Sequence, residues 1–160
     1  MANDPRPPLP RVSDDAVVRE IRIRARPETV WEFFVDPAKV MLWKGVAVDI
    51  DARAGGVRRI DIHGGRDIAV GEHVLLEPHR RLIFTWGWEG DAQVPPGSST
   101  VEVTLTRDGD ETVVRLEHRD LPGADQRAKH AMGWDHYLPR LAVAASGGDP
   151  GPDEVSMPAE

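Results

Sequence analysis

The chain has 160 residues, 40% of them hydrophobic and 29% charged, with a net charge of −7 and no cysteine. That length supplies one domain with a real core and no second one. The acidic balance argues against a surface that grips nucleic acid phosphates as a whole, and the lack of cysteine rules out disulfides, thiolate nucleophiles and Cys-ligated zinc.

Residues 1–14 hold Pro5, Pro7, Pro8 and Pro10 and almost nothing to bury, so they read as a disordered arm. The stretch MANDPRPPLPRVSDD has no apolar segment of the secretory kind, and no apolar run approaches the roughly 18–20 residues of a membrane span. A cytoplasmic protein with no membrane and no nucleic acid partner is expected. The folded domain is expected over 15–146.

The first strand is VVREIRIRA, Val17 to Ala25. Val17, Ile21, Ile23 and Ala25 share one face, and Glu20, Arg22 and Arg24 the other. Arg19, Arg22 and Arg24 are expected to form a solvated basic surface. Pro27 stands where a helix begins, followed by Glu28 in the first turn, and Val30, Phe33 and Phe34 make its apolar stripe with Trp31 beside it. Asp36-Pro37 stops that helix and starts a second short one, which ends at Gly45.

Six extended segments follow, over 45–52, 57–63, 67–78, 80–90, 99–106 and 111–118. In RRLIFTWGWEG, Leu82, Phe84, Trp86 and Trp88 share one face and Ile83, Thr85 and Gly87 the other. STVEVTLT sets Val101, Val103 and Leu105 inward, and Asp108-Gly109 is a hairpin turn signal. ETVVRLEH returns with Thr112, Val114, Leu116 and His118 on one face. Short turns between consecutive strands imply an antiparallel meander.

The last element is a helix from Ala124, with Ala131, Trp134, Leu138, Leu141 and Ala145 at spacings of three and four. Pro139 lies within it, so a bend near Asp135 is expected. Residues 147–160, rich in Gly, Pro and acid, read as a disordered tail. Strand, two short helices, six strands and a long helix make an α+β domain whose helix covers one face of a curved sheet.

The order of elements, together with ARPETVWEFFVDPAKVMLWKG, RRLIFTWGWEG, PPGSSTVEVTL, RDGDETVVRLEH and AKHAMGWDHYLPRLA, resembles the SRPBCC superfamily. Its helix-grip fold is shared by START-type lipid-binding domains and aromatase/cyclases. Within it the chain looks like the branch named after the C-terminal domain of the activator of Hsp90 ATPase, which also holds calicheamicin-type self-resistance proteins. The resemblance spans roughly 17–145 of the sequence. It implies a cavity between the long helix and the concave sheet face. Phe34, Trp43, Ile62, Phe84, Trp86, Trp88 and Val101 would contribute to its lining, with Val103, Leu116, His118, Met132, Trp134 and Tyr137. Trp43 and Trp88 are placed at its mouth.

Such a lining suits a flat, apolar, aromatic ligand, oriented by His118 and Tyr137. Binding without catalysis is the first expectation. A polyketide cyclase or aromatase, with His118 or Tyr137 moving protons, is a second, and an Hsp90 co-chaperone-like module a third. No cofactor and no metal are expected. His130 and His136 are six apart on the helix and diverge, and no H-x-x-x-H or H-E-x-x-H motif occurs. Asp49 and Asp51 read as solvated, and no G-x-S-x-G elbow surrounds Ser98 or Ser99. A homodimer is common among small folds of this kind, though the sequence does not show one.

Overall fold

A computed structural model describes residues 16–153. The arm expected over 1–14 and the last part of the tail, 154–160, lie outside those residues. The chain opens with β1 (Ala16–Ile23), followed by α1 (Pro27–Val35) and α2 (Pro37–Val40). Pro27 stands in the first turn of α1, where its missing N–H costs nothing. Asp36 then separates the two helices, its carboxylate accepting the Ala38 N–H at 3.0 Å.

The meander follows: β2 (Ala47–Ile50), β3 (Val57–Asp61), β4 (Ile68–Glu77), β5 (Arg81–Trp86), β6 (Ser99–Asp108) and β7 (Glu111–Arg119). Then comes α3 (Gly123–Ala145). The sheet runs β1-β7-β6-β5-β4-β3-β2, with every neighbouring pair antiparallel. This is the α+β helix-grip architecture expected from the order of elements.

Alternation along the strands sorts the core as expected. Leu82, Phe84 and Trp86 of β5, Val101 and Val103 of β6, and Val114, Leu116 and His118 of β7 are buried on one face. From α3, Trp134, Tyr137, Leu138 and Leu141 meet them. A fully buried side chain of this kind contributes about 1.5–3 kcal/mol of transfer free energy. Val101 faces His118, and Val103 faces Leu116, across the β6–β7 pair.

Four features depart from the sequence expectations. First, β5 ends at Trp86, and Trp88 keeps only an isolated bridge to Ala69. The loop after it folds back over Gly87, where a Cβ would lie 1.8 Å from the Pro95 carbonyl oxygen. Only a residue without a side chain permits that approach.

Second, Arg19 does not belong to the outer basic surface. Its odd position puts it on the face of Val17 and Ile23, and its Nε donates to Asp135 of α3 at 2.6 Å. Arg22, on the outer face, donates to Asp108 and Glu111. Third, α3 starts at Gly123, one residue before the expected Ala124, and runs as helix through Pro139, as expected.

Fourth, residues 147–153 are not a free tail. Arg140 donates to the carbonyls of Pro150 and Pro152, and Asp153 accepts from Tyr137 and pairs with His136. Proline and glycine weaken regular structure in this segment but do not stop it docking through carbonyls and a carboxylate.

Candidate functional site

The site is built where the inward face of β5 meets the first half of α3. Trp86 is its hub. The Trp86 ring lies 5.3 Å from that of Trp88, 5.7 Å from that of His118 and 5.7 Å from that of Trp134. The last residue of β5, the loop just after it and one position of α3 thus deliver three indoles to one place.

Two histidines hold these indoles. The Trp134 Nε1–H donates to His118 Nδ1 at 3.1 Å. His118 therefore carries its proton on Nε2 and donates it to the Ser99 hydroxyl at 2.8 Å, and Ser99 in turn donates to the Trp86 carbonyl. The Trp88 Nε1–H donates to His130 Nε2 at 2.9 Å, so His130 keeps its proton on Nδ1 and donates it to the Gln126 carbonyl at 2.7 Å. The two imidazoles lie 5.0 Å apart, edge to face, in opposite tautomers. Burial, with the neighbouring His130 and Lys44, holds His118 well below the usual imidazole range. Burial lowers His130 as well, against the stabilising carbonyl of Gln126. Both rings are neutral at pH 7.

Lys44, in the turn after α2, enters the same cluster from the opposite side. It is 6% exposed. Its Nζ lies 4.3 Å from the Trp86 ring centroid, 4.2 Å from that of Trp134 and 5.2 Å from that of Tyr137. Among the described residues it has no hydrogen bond and no ion pair. Burial, together with the nearby Arg58 charge, pushes its pKa well below the ordinary lysine value, while Asp153 pulls weakly the other way. Asp153 is itself engaged by Tyr137 and His136.

Arg58 of β3 is the second interior cation. Its Nη1 donates to the Phe34 carbonyl, its guanidinium lies 4.3 Å from the Phe84 centroid, and its Nε has no partner. Burial lowers its pKa to about 9.

Between α3 and the sheet the rings leave little room. The recess there is about 20 Å³ and is lined by Lys44, Ile62, Trp86, Trp88, His130, Gly133, Trp134 and Tyr137. That is the size of one ordered water. The larger space, about 450 Å³, opens beside it at the N-terminal end of α3. Trp88, His130, Gln126, Lys129 and the 89–93 loop line it, with Arg66 and Asp67. Gln126 Nε2 donates to Gln93 Oε1 across one side of this cleft. Trp88 and His130 are common to both spaces and form the wall between them.

Of the residues expected at the site, Ile62, Trp86, Trp88, Trp134 and Tyr137 line the recess. Phe34, Phe84, Val101, Val103 and Leu116 are buried in the hydrophobic core cluster, and His118 is fully buried as well. Trp43 is not at the mouth: it is 1% exposed and its indole N–H donates to the Phe33 carbonyl. Met132 is not inside at all. It is 58% exposed, because two residues from Trp134 on a helix is about 200° of rotation. Sequence reasoning missed Lys44, Arg58 and Gln126. Arg58 had a signal, since it alternates with Ile60 and Ile62 on one strand face. Lys44 had none. Among the described residues no group of three His, Asp or Glu side chains is placed to hold a metal ion, and no helix is long and apolar enough to cross a membrane.

Residues 24–146 match the family model described as activator of Hsp90 ATPase homolog 1-like protein. No curated protein matches the chain. Among solved structures, an AHSA1-like protein from Rhizobium etli is 39% identical over 88% of each chain, with a TM-score of 0.69. CalU16 from Micromonospora echinospora is 27% identical, over 82% of this chain and 76% of its own, with a TM-score of 0.68. DynU16, a protein in the dynemicin biosynthetic locus, is 30% identical with a TM-score of 0.74, over 86% of this chain and 49% of its own.

Proposed function

The chain belongs to the activator of Hsp90 ATPase homolog 1-like family, and we propose that it binds a hydrophobic, aromatic small molecule at the junction of α3 and the sheet, without catalysing a reaction on it. The observation that carries this reading is the wall formed by Trp88 and His130. A half-buried indole faces a cleft of about 450 Å³ and continues inward as a ring cluster through Trp86 and Trp134. Planar rings stack on such a wall and bury apolar area against it. The position of DynU16 in a biosynthetic locus is consistent with a small-molecule ligand.

The non-catalytic part of the reading rests on the two imidazoles. Both ring nitrogens of His118 and of His130 are already engaged, by Trp134 and Ser99 in one case and by Trp88 and Gln126 in the other. A general base needs a free lone pair within reach of the proton it takes.

Titration with planar aromatics (naphthalene, anthraquinone and flavone derivatives), followed by tryptophan fluorescence and calorimetry, tests the reading. Saturable quenching in the wild type, reduced in Trp88→Ala, is expected. No saturable binding by any scaffold, or binding unchanged in Trp88→Ala, overturns it.

A further inference from the structure

The indole wall of Trp88 and a pair of side-chain amides are built on the same two elements. Gln93 lies in the loop that carries Trp88, and Gln126 lies one helical turn before His130 on α3. Asp91 Oδ1 accepts the Gln93 N–H at 2.8 Å and the Val94 N–H at 3.2 Å, and Val94 is fully buried, so the loop holds Gln93 in place. Gln126 is fixed through its own backbone carbonyl, which accepts from His130 Nδ1 at 2.7 Å. The two side chains meet where Gln126 Nε2 donates to Gln93 Oε1 at 2.7 Å. Trp88, His130, Gln93 and Gln126 all line the cleft of about 450 Å³.

One bond leaves these amides half used. A primary amide carries two N–H donors and an oxygen with two lone pairs. Among the described residues neither Gln126 Oε1 nor Gln93 Nε2 has a further partner. Gln126 is only 6% exposed, yet the buried side-chain atoms without partners are on Arg58, His63, Asp67, His73 and Trp86 and not on Gln126. Its free oxygen is therefore open to the cleft it lines. An acceptor on Gln126 and a donor on Gln93 thus stand at the two ends of one short hydrogen-bonded chain. The charged groups of the lining offer no comparable handle. Glu89 pairs with Arg59, Asp91 holds two backbone N–H groups, and Asp67 lies by His63 and Arg66 with its Oδ2 buried. Lys129 shares the lining with these three carboxylates, so no single sign of charge is present to select an anion or a cation.

We propose that Gln126 and Gln93 determine specificity, by selecting a neutral planar ring system whose edge carries an N–H beside a C=O, as in a lactam or an imide. This specifies the ligand class and rests on the aromatic-ligand reading above. The rings stack on Trp88. The ligand N–H donates to Gln126 Oε1 and its C=O accepts from Gln93 Nε2, while Gln126 Nε2 keeps its bond to Gln93 Oε1. The three amides then close a ring in which each donates to the next, and such bonds polarise one another. A ligand with an acceptor in place of the N–H leaves the Gln126 oxygen unpaired against a second lone pair. A site built to hydrogen-bond a group rejects the analogue that lacks it far more strongly than apolar contacts do.

The experiment compares 2-quinolone with coumarin, which has the same fused rings and carbonyl but a ring oxygen in place of the N–H. Calorimetry on the full chain is expected to show 2-quinolone bound at least about fivefold more tightly, the scale of one neutral hydrogen bond. In Gln126→Met the two affinities should converge to within about twofold, by loss of 2-quinolone binding alone, with a thermal melt to check folding. Gln93→Met, at an exposed loop position, removes the donor to the carbonyl that both probes share and should weaken both alike, by about threefold. Equal wild-type affinities, tighter binding of coumarin, a preference that survives in folded Gln126→Met, or binding of both probes unchanged in Gln93→Met overturns the lactam class while leaving the aromatic reading intact. If neither probe binds the wild type the lactam class falls, and the aromatic reading falls with it only when the naphthalene, anthraquinone and flavone series fails too.

Discussion

His118 and His130 accept an indole N–H in the same way, 5.0 Å apart, yet they serve two different regions. His118 is 0% exposed, and its chain of bonds ends inside the sheet at Ser99 and the Trp86 carbonyl. His130 is 7% exposed, belongs to the wall of the open cleft, and its chain ends on its own helix at Gln126. The first network ties α3 to β6 and β7. The second ties α3 only to the loop after β5. The inner network lies within the sheet and core, and the outer one borders the open cleft.

The largest expected effect breaks the hub of the inner region. Trp86→Ala should destabilise by about 3–5 kcal/mol in chemical denaturation, as truncation of a buried aromatic does. Next, Lys44→Met should stabilise the protein at pH 7 by about 1–4 kcal/mol, the range found when buried charges give way to apolar groups of similar volume. The pH dependence separates cause from packing. The folded pKa of Lys44 lies below its unfolded value, so between the two the unfolded chain binds the extra proton, and wild-type stability rises with pH from the folded value up to about pH 10.4. That component of the slope should vanish in Lys44→Met.

The two histidines test the contrast directly. His118→Leu orphans the buried Trp134 N–H and should cost about 1–3 kcal/mol by urea denaturation, whereas His130→Leu, at the cleft wall, should cost about 1 kcal/mol or less. Neutral in the fold, His118 loses out to an unfolded imidazole that takes up a proton below about pH 6.5, so wild-type stability falls on acidification through that point. His118→Leu should flatten this acid limb. If the two substitutions cost the same, inner and outer regions are one cooperative unit and the distinction fails.

The smallest effect is expected at the C-terminal segment. Despite partial burial, hydrogen bonds from Tyr137 and His136 hold Asp153 below the ordinary carboxylate range. Its contribution is present above the unfolded carboxylate pKa and is lost as pH falls through the folded value. Asp153→Asn should cost about 1 kcal/mol in denaturant melts at pH 7 and less at low pH.

The scaffold was legible in the sequence because its signals are periodic. Strand alternation placed Leu82, Phe84, Trp86, Val101, Val103, Leu116 and His118 on the inner face, and helical spacing did the same for Trp134, Leu138 and Leu141. The site was legible only where it shares those periodicities. Trp88 was read as a mouth residue and lines the open cleft. Trp43 was misplaced because a short helix end carries too few residues to show a face. Met132 was misplaced because apolar character was allowed to outweigh its angle on the helix. Lys44 was invisible for a different reason: lysine is almost never buried unpaired, and only the convergence of α2, β5 and α3 reveals that this one is.

The pairing of β1 with β7 sets Val17 opposite His118, so the first strand has no partner until nearly the whole domain has been synthesised. Closing so long a loop is slow. During translation β1 must wait as an unpaired ribbon of valine and isoleucine, exposed to other nascent chains. Its interspersed Arg19 and Arg22, with Arg24 just past its end, then act as gatekeepers against aggregation before they act as anything in the native state.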